Sequence, residues 1–120
     1  MEDTLTNPLE LFRQIVGCSI TPEKARWIKE ASLESSDPSF KALYGWMLFI
    51  GFPFPRSEER AKLLFLQAAK TTSKETMYIA GFGLIVLQGE HRDEGLALVK
   101  RSAELGCDRA SSLERNLVSN

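Results

Sequence analysis

One histidine and two cysteines are this chain's whole supply of imidazoles and thiols. Metal centres draw on several such ligands at short spacing, and Cys18, His91 and Cys107 form no Cys-x-x-Cys or His-bearing pattern, so no metal and no cofactor is expected. The two cysteines read as free thiols in a reducing, cytoplasmic compartment, although their spacing alone leaves a bridge open. Positive charge is also short: 15 Lys and Arg stand against 16 Asp and Glu, a formal net charge of −1. Phosphate binding needs a basic field, so no nucleic-acid partner is expected. No apolar run reaches the ~18 residues of a membrane span, so no membrane partner is expected. The opening Met1-Glu2-Asp3-Thr4 carries acid and leads into no apolar stretch, so no secretory signal is read there. Strand signals are weak, and none of the eight glycines belongs to a G-x-x-x-x-G-K or G-x-G-x-x-G phosphate cradle after a strand.

What is present is helix punctuation. Asn7-Pro8 reads as an N-cap with proline in the first turn, and Leu11, Phe12, Ile15 and Val16 share one face before Gly17. Thr21-Pro22-Glu23 opens a second helix with Ala25, Ile28 and Ser32 in register. Asp37-Pro38 opens a third that runs to Gly51, and Ser57-Glu58-Glu59 opens a fourth with acids at the positive end of its dipole. Thr72 and Glu75 are spaced as a capping box for a fifth, to about Gln88. Arg92-Asp93-Glu94 begins a sixth that ends at Gly106, and a short seventh follows from Asp108 to about Val118. The chain, 120 residues long, reads as one all-α domain.

The helices repeat. Ala42-x-Tyr44-Gly45-x-x-Leu48-Phe49-x-Gly51 returns as Ala80-x-Phe82-Gly83-x-x-Val86-Leu87-x-Gly89, 38 positions on. Ala61, Phe65, Ala68 and Ala69 of the next helix correspond to Gly95, Val99, Ser102 and Ala103, 34 positions on, the difference falling in a loop. A small residue at each of these places lets two helices approach closely while a bulky neighbour fills the adjacent groove. The stretch Asp37-Pro38-x6-Gly45-x5-Gly51-x-x-Phe54-Pro55-x-Ser57-x-x-x-Ala61-x6-Ala68-Ala69 resembles the Sel-one-like repeat, a relative of the tetratricopeptide repeat. It departs from that pattern at Phe40, Leu48, Pro53, Ser57 and Arg60. The resemblance implies a short right-handed α-solenoid of about three antiparallel helix pairs (about 7–34, 37–71 and 72–106), with a capping helix at 108–118. It also implies membership of a family of protein-binding scaffolds and adaptors, whose signature residues hold the fold and carry no chemistry.

The residues capable of chemistry lack partners in sequence. His91 lies in a short polar loop, and an imidazole acting as a base needs a nucleophile or substrate held against it. Cys18 and Cys107 have only Arg109 near in sequence to lower a thiol's pKa. Glu58-Glu59 and Asp93-Glu94 fall in first helical turns, where the dipole accounts for them. An enzyme using His91 or Cys18 is the weakest reading, and a non-catalytic protein is expected.

Helix three is apolar almost all round, from Phe40 to Ile50. Such a helix is either central and covered, here by the first helix, or it keeps one face open for a partner. If open, Ala42, Trp46, Phe49 and Ile50 look into a groove with Met77, Ala80, Leu84 and Gln88 beside them. The groove residues expected to bind protein are thus Trp46, Phe49, Ile50, Met77, Leu84 and Gln88, and the partner expected is a protein or peptide. An immunity, inhibitor or chaperone-like protein fits this description. The alternative is a self-associating structural unit, giving a monomer or a weak homodimer; the polar last helix favours a capped monomer. In the loop, Phe54 is expected to plug onto its own repeat and Phe52 to stay freer.

Overall fold

Proline, hydroxyl caps and left-handed stops set the helix limits. In the computed structural model, which describes residues 7–118 (Val118 by its backbone only), the elements are α1 (Pro8–Val16), α2 (Pro22–Glu34), α3 (Ser39–Ile50), α4 (Glu58–Ala68), α5 (Lys74–Leu87), α6 (Arg92–Glu104) and α7 (Asp108–Val118). Among the described residues there is no strand, and no helix is long and apolar enough to cross a membrane. The protein is all-helical. Thr21, Ser57 and Ser73 cap α2, α4 and α5 by accepting the N–H of Lys24, Arg60 and Thr76. The expected box of Thr72 and Glu75 is therefore displaced by one residue: the Ser73 hydroxyl is the one within reach of a free first-turn N–H. Asn7 precedes α1 without a side-chain cap bond, leaving Pro8 to start that helix. Gly51 stops α3 in the left-handed region, at φ 86°.

The helices from α2 to α7 pack in chain order, each on the next, while α1 lies across α3 and α5. The two helices before residue 35 are thus each held by α3. The radius of gyration, 13.2 Å, is close to the roughly 14 Å of a compact domain of this length.

The core runs along α3 and α5. Ala42, Ala61 and Ala80 are fully buried, as a close-packing role for small residues requires. Gly45 and Gly83 are buried as well, and what stands nearest to each is a side chain. The ring of Phe65, on α4, lies between the two: a Cβ at Gly45 would sit 2.8 Å from Phe65 Cε1, and one at Gly83 would sit 2.4 Å from Phe65 Cζ. Backbones do meet where α5 crosses α6, since a Cβ on Gly95 would fall 2.6 Å from the carbonyl oxygen of Gly81. One phenylalanine therefore packs against both Gly45 and Gly83. Hydroxyl groups tie helices to one another. The Ser39 and Thr76 hydroxyls share a 2.6 Å hydrogen bond between α3 and α5, and the Ser102 hydroxyl donates to the Lys74 carbonyl at 2.6 Å. In the α3–α4 loop, Phe54 sets its ring edge-on to Tyr44, 5.8 Å between centroids, whereas Phe52 is exposed.

Candidate functional site

The aromatic residues of α1, α3 and α5 converge. Phe12 packs edge-on against Trp46 at 5.1 Å between centroids, against Tyr78 at 5.8 Å and against Phe82 at 6.4 Å. Trp46 and Phe82 stand 5.3 Å apart. The indole is fixed from both sides of its chemistry, because its Nε1 donates to the Ile79 carbonyl at 2.8 Å while its ring faces the cluster. Phe12 thus places α1 over Trp46, which retains only 5% of its surface.

The cover is incomplete. Beyond the end of α1 a cleft of about 660 Å3 opens to solvent, and its apolar wall is formed by Phe12, Trp46, Tyr78 and Phe82. Val16, Gly17 and Ser19 form one lip, with Val16 half exposed; Arg13 and Arg109 complete the lining. A volume of this size lies within the range of sites for small ligands or for a few peptide side chains.

The lining holds two guanidinium groups and no carboxylate. Arg13 is paired along α1 with Glu10, its Nε donating to Oε1 at 3.2 Å. That bond, helped by Gln14, holds the Glu10 carboxyl below its ordinary value and the arginine above its own. Arg109, in the first turn of α7, lies beside the Tyr78 hydroxyl and has no carboxylate within ion-pair distance among the described residues. Burial pushes the Tyr78 phenol above its ordinary value; Arg109 opposes that shift and nearby Cys107 adds to it.

The expected groove residues fall in several places. Trp46 lines the cleft. Phe49 touches it edge-on at 5.6 Å but carries the Arg56 guanidinium over its own ring, and Ile50 is half-buried outside the lining. Leu84, expected beside Trp46, instead turns to α6, where its Cβ would lie 2.9 Å from a Cβ on Gly95. Met77 is buried and Gln88 is exposed at the left-handed end of α5, and neither borders the cleft. The groove-facing positions of α5 are Tyr78 and Phe82. The physical reason is that α5, like α3, is apolar on every side, so a repeat offset alone does not single out the stripe that lines the cleft. The aromatic pair one turn apart at 78 and 82, opposite Phe12, was the available signal.

His91 lies outside the cleft, with its Nδ1 hydrogen-bonded to the Glu94 carboxylate and its Nε2 3.2 Å from that of Glu90. Both cysteines are free, Cys18 exposed and Cys107 buried. Among the described residues no three His, Cys, Asp or Glu side chains stand together as a metal site. No nucleophile–base pair lines the cleft; the Ser19 hydroxyl donates to the Gln14 carbonyl. Comparison of the chain with family models, curated proteins and solved structures finds no match.

Proposed function

We propose that the protein is a non-catalytic binding or adaptor module of the Sel-one-like, tetratricopeptide-related kind. In this reading the seven helices are a short right-handed solenoid of three antiparallel pairs closed by α7. The cleft at the end of α1 receives a segment of one protein partner. The observation that carries the proposal is the cleft itself: a space of about 660 Å3 walled by Phe12, Trp46, Tyr78 and Phe82 beside the exposed end of α1. Pockets of this kind anchor interfaces, because a buried apolar side chain contributes about 1.5–3 kcal/mol and aromatic walls concentrate that gain. The recurrence of close-packed small residues in α3, α4, α5 and α6 supports the repeat reading. Neutralising or escorting one partner, as an immunity, inhibitor or chaperone-like protein does, suits so small a module. A cytoplasmic setting would keep Cys18 and Cys107 as the thiols found here.

The test is capture of proteins from the native host on three immobilised forms: wild type, Val16→Glu and Leu33→Glu. Val16 stands on the cleft lip, and Leu33 is 80% exposed on α2 away from it. One protein should be retained by wild type and Leu33→Glu and lost by Val16→Glu at unchanged thermal stability. Equal retention by all three would reject the cleft.

A further inference from the structure

Charge makes the cleft selective. The chain as a whole is slightly acidic, yet the charged residues that line the cleft are both arginines, set beside an aromatic wall. Arg13 is already neutralised by Glu10, which leaves Arg109 as the group that faces an occupant with its charge uncompensated by a described carboxylate. Tyr78 lines the same cleft beside it. An apolar wall with an arginine on its lining matches a side chain that is large and apolar, with a carboxylate a residue or two away.

We infer that the cleft recognises an acidic–aromatic peptide segment of a partner protein: an aromatic or large aliphatic anchor seated against Phe12, Trp46 and Phe82, and a flanking Asp or Glu paired with Arg109. The inference rests on the cleft being the binding site and adds the chemistry of its occupant. A peptide suits the site better than a small acid because Val16, Gly17 and Ser19 on the lining are exposed, so a chain can lie across them while one side chain seats in the cleft.

The experiment is an NMR titration of the full-length protein, followed at the Gly17, Ser19 and Arg109 amides. Three probes are used: the capped peptide Gly-Glu-Leu-Trp-Glu-Gly, its counterpart with both glutamates replaced by glutamine, and indole-3-propionate. The acidic peptide should bind roughly fivefold to tenfold more tightly than the neutral one, the gain of a charge-assisted contact at a partly solvated edge. About 0.5 M salt should remove most of that difference by screening. Arg109→Gln should bring the two peptides to equal affinity while the neutral peptide binds it as it binds wild type, and Arg109→Lys should restore part of the preference. Equal binding of both peptides to wild type overturns the acidic preference and leaves the cleft as the site. Absence of shifts at the three amides with either peptide overturns the preference and the site together. Indole-3-propionate binding more tightly than the acidic peptide would show a small-molecule pocket and overturn the peptide assignment. A rise in molecular mass that tracks loss of peptide binding would show a second copy in the cleft, with the same consequence.

Discussion

Alanine at Gly83 would place a methyl group inside the ring of Phe65. Its Cβ would lie 2.4, 2.5 and 2.7 Å from three ring carbons, against the 3.4 Å or more of ordinary contact, so the ring would have to retreat by about 1 Å. It has little room to do so. Phe65 is fully buried, and on its other side the same ring already stands 2.8 Å from where a Cβ on Gly45 would be. Overpacking of this kind costs about 1–3 kcal/mol, and the confinement of the ring argues for the upper end. Replacing a mid-helix glycine by alanine returns up to about 1 kcal/mol of helix propensity. The net loss expected for Gly83→Ala is therefore about 1–2 kcal/mol, or a fall in Tm of roughly 5–10 °C for a chain this long. Thermal and urea unfolding followed by circular dichroism measure it. Gly89→Ala is the control, since nothing lies within 4 Å of its Cβ, and it should change stability by less than about 0.5 kcal/mol. Phe65→Leu should relieve part of the cost of Gly83→Ala, so the double variant is more stable than the sum of the single losses. A Gly83→Ala protein as stable as wild type would refute the ring-between-glycines account of how α3, α4 and α5 meet.

Two further outcomes follow from the aromatic cluster. Trp46→Ala should destabilise the fold by about 3–5 kcal/mol, because it removes a 95% buried ring and leaves the Ile79 carbonyl without the indole donor; chemical denaturation checks this, and a loss under about 1 kcal/mol would contradict the packing. Tyr78 should ionise above its unfolded value of 10.0 in an alkaline absorbance titration, and Arg109→Gln should raise it further, because the arginine opposes the shift. The unfolded chain then releases this proton first, so the associated stability is full below about pH 10 and is lost as pH rises through the folded value; Tyr78→Phe should flatten that part of the stability profile.

Much of the fold is legible in the chain because local signals agree. Pro22 after Thr21, Ser57 before two acids, and glycines at 51 and 106 mark helix ends that the structure shares to within a residue or two. The spacing of Ala25, Ile28 and Ser32 at i, i+3 and i+7 matches the buried face of α2, while Trp27 and Leu33 on the same helix are exposed. The candidate site was harder to read for the opposite reason. With α3 and α5 apolar all round, periodicity cannot distinguish the stripe at Tyr78 and Phe82 from the stripe at Met77 and Leu84. Position in the chain hides the rest. Arg13 and Arg109 lie near opposite ends of the sequence, and only the passage of α1 over α3 and α5 brings them to one cleft. Phe65 illustrates the same limit: its match with Val99 is visible in the repeat, but its contact with both Gly45 and Gly83 is a property of the packed helices.

The claim that the end of α1 is where a partner docks is tested most directly by photocrosslinking inside the native host. Benzoylphenylalanine is placed at Val16 on the cleft lip or, for comparison, at Leu33 on the outer side of α2. Irradiation should yield one discrete protein adduct from position 16 and none from position 33. No adduct at 16, or the same adduct from both positions, would contradict the account.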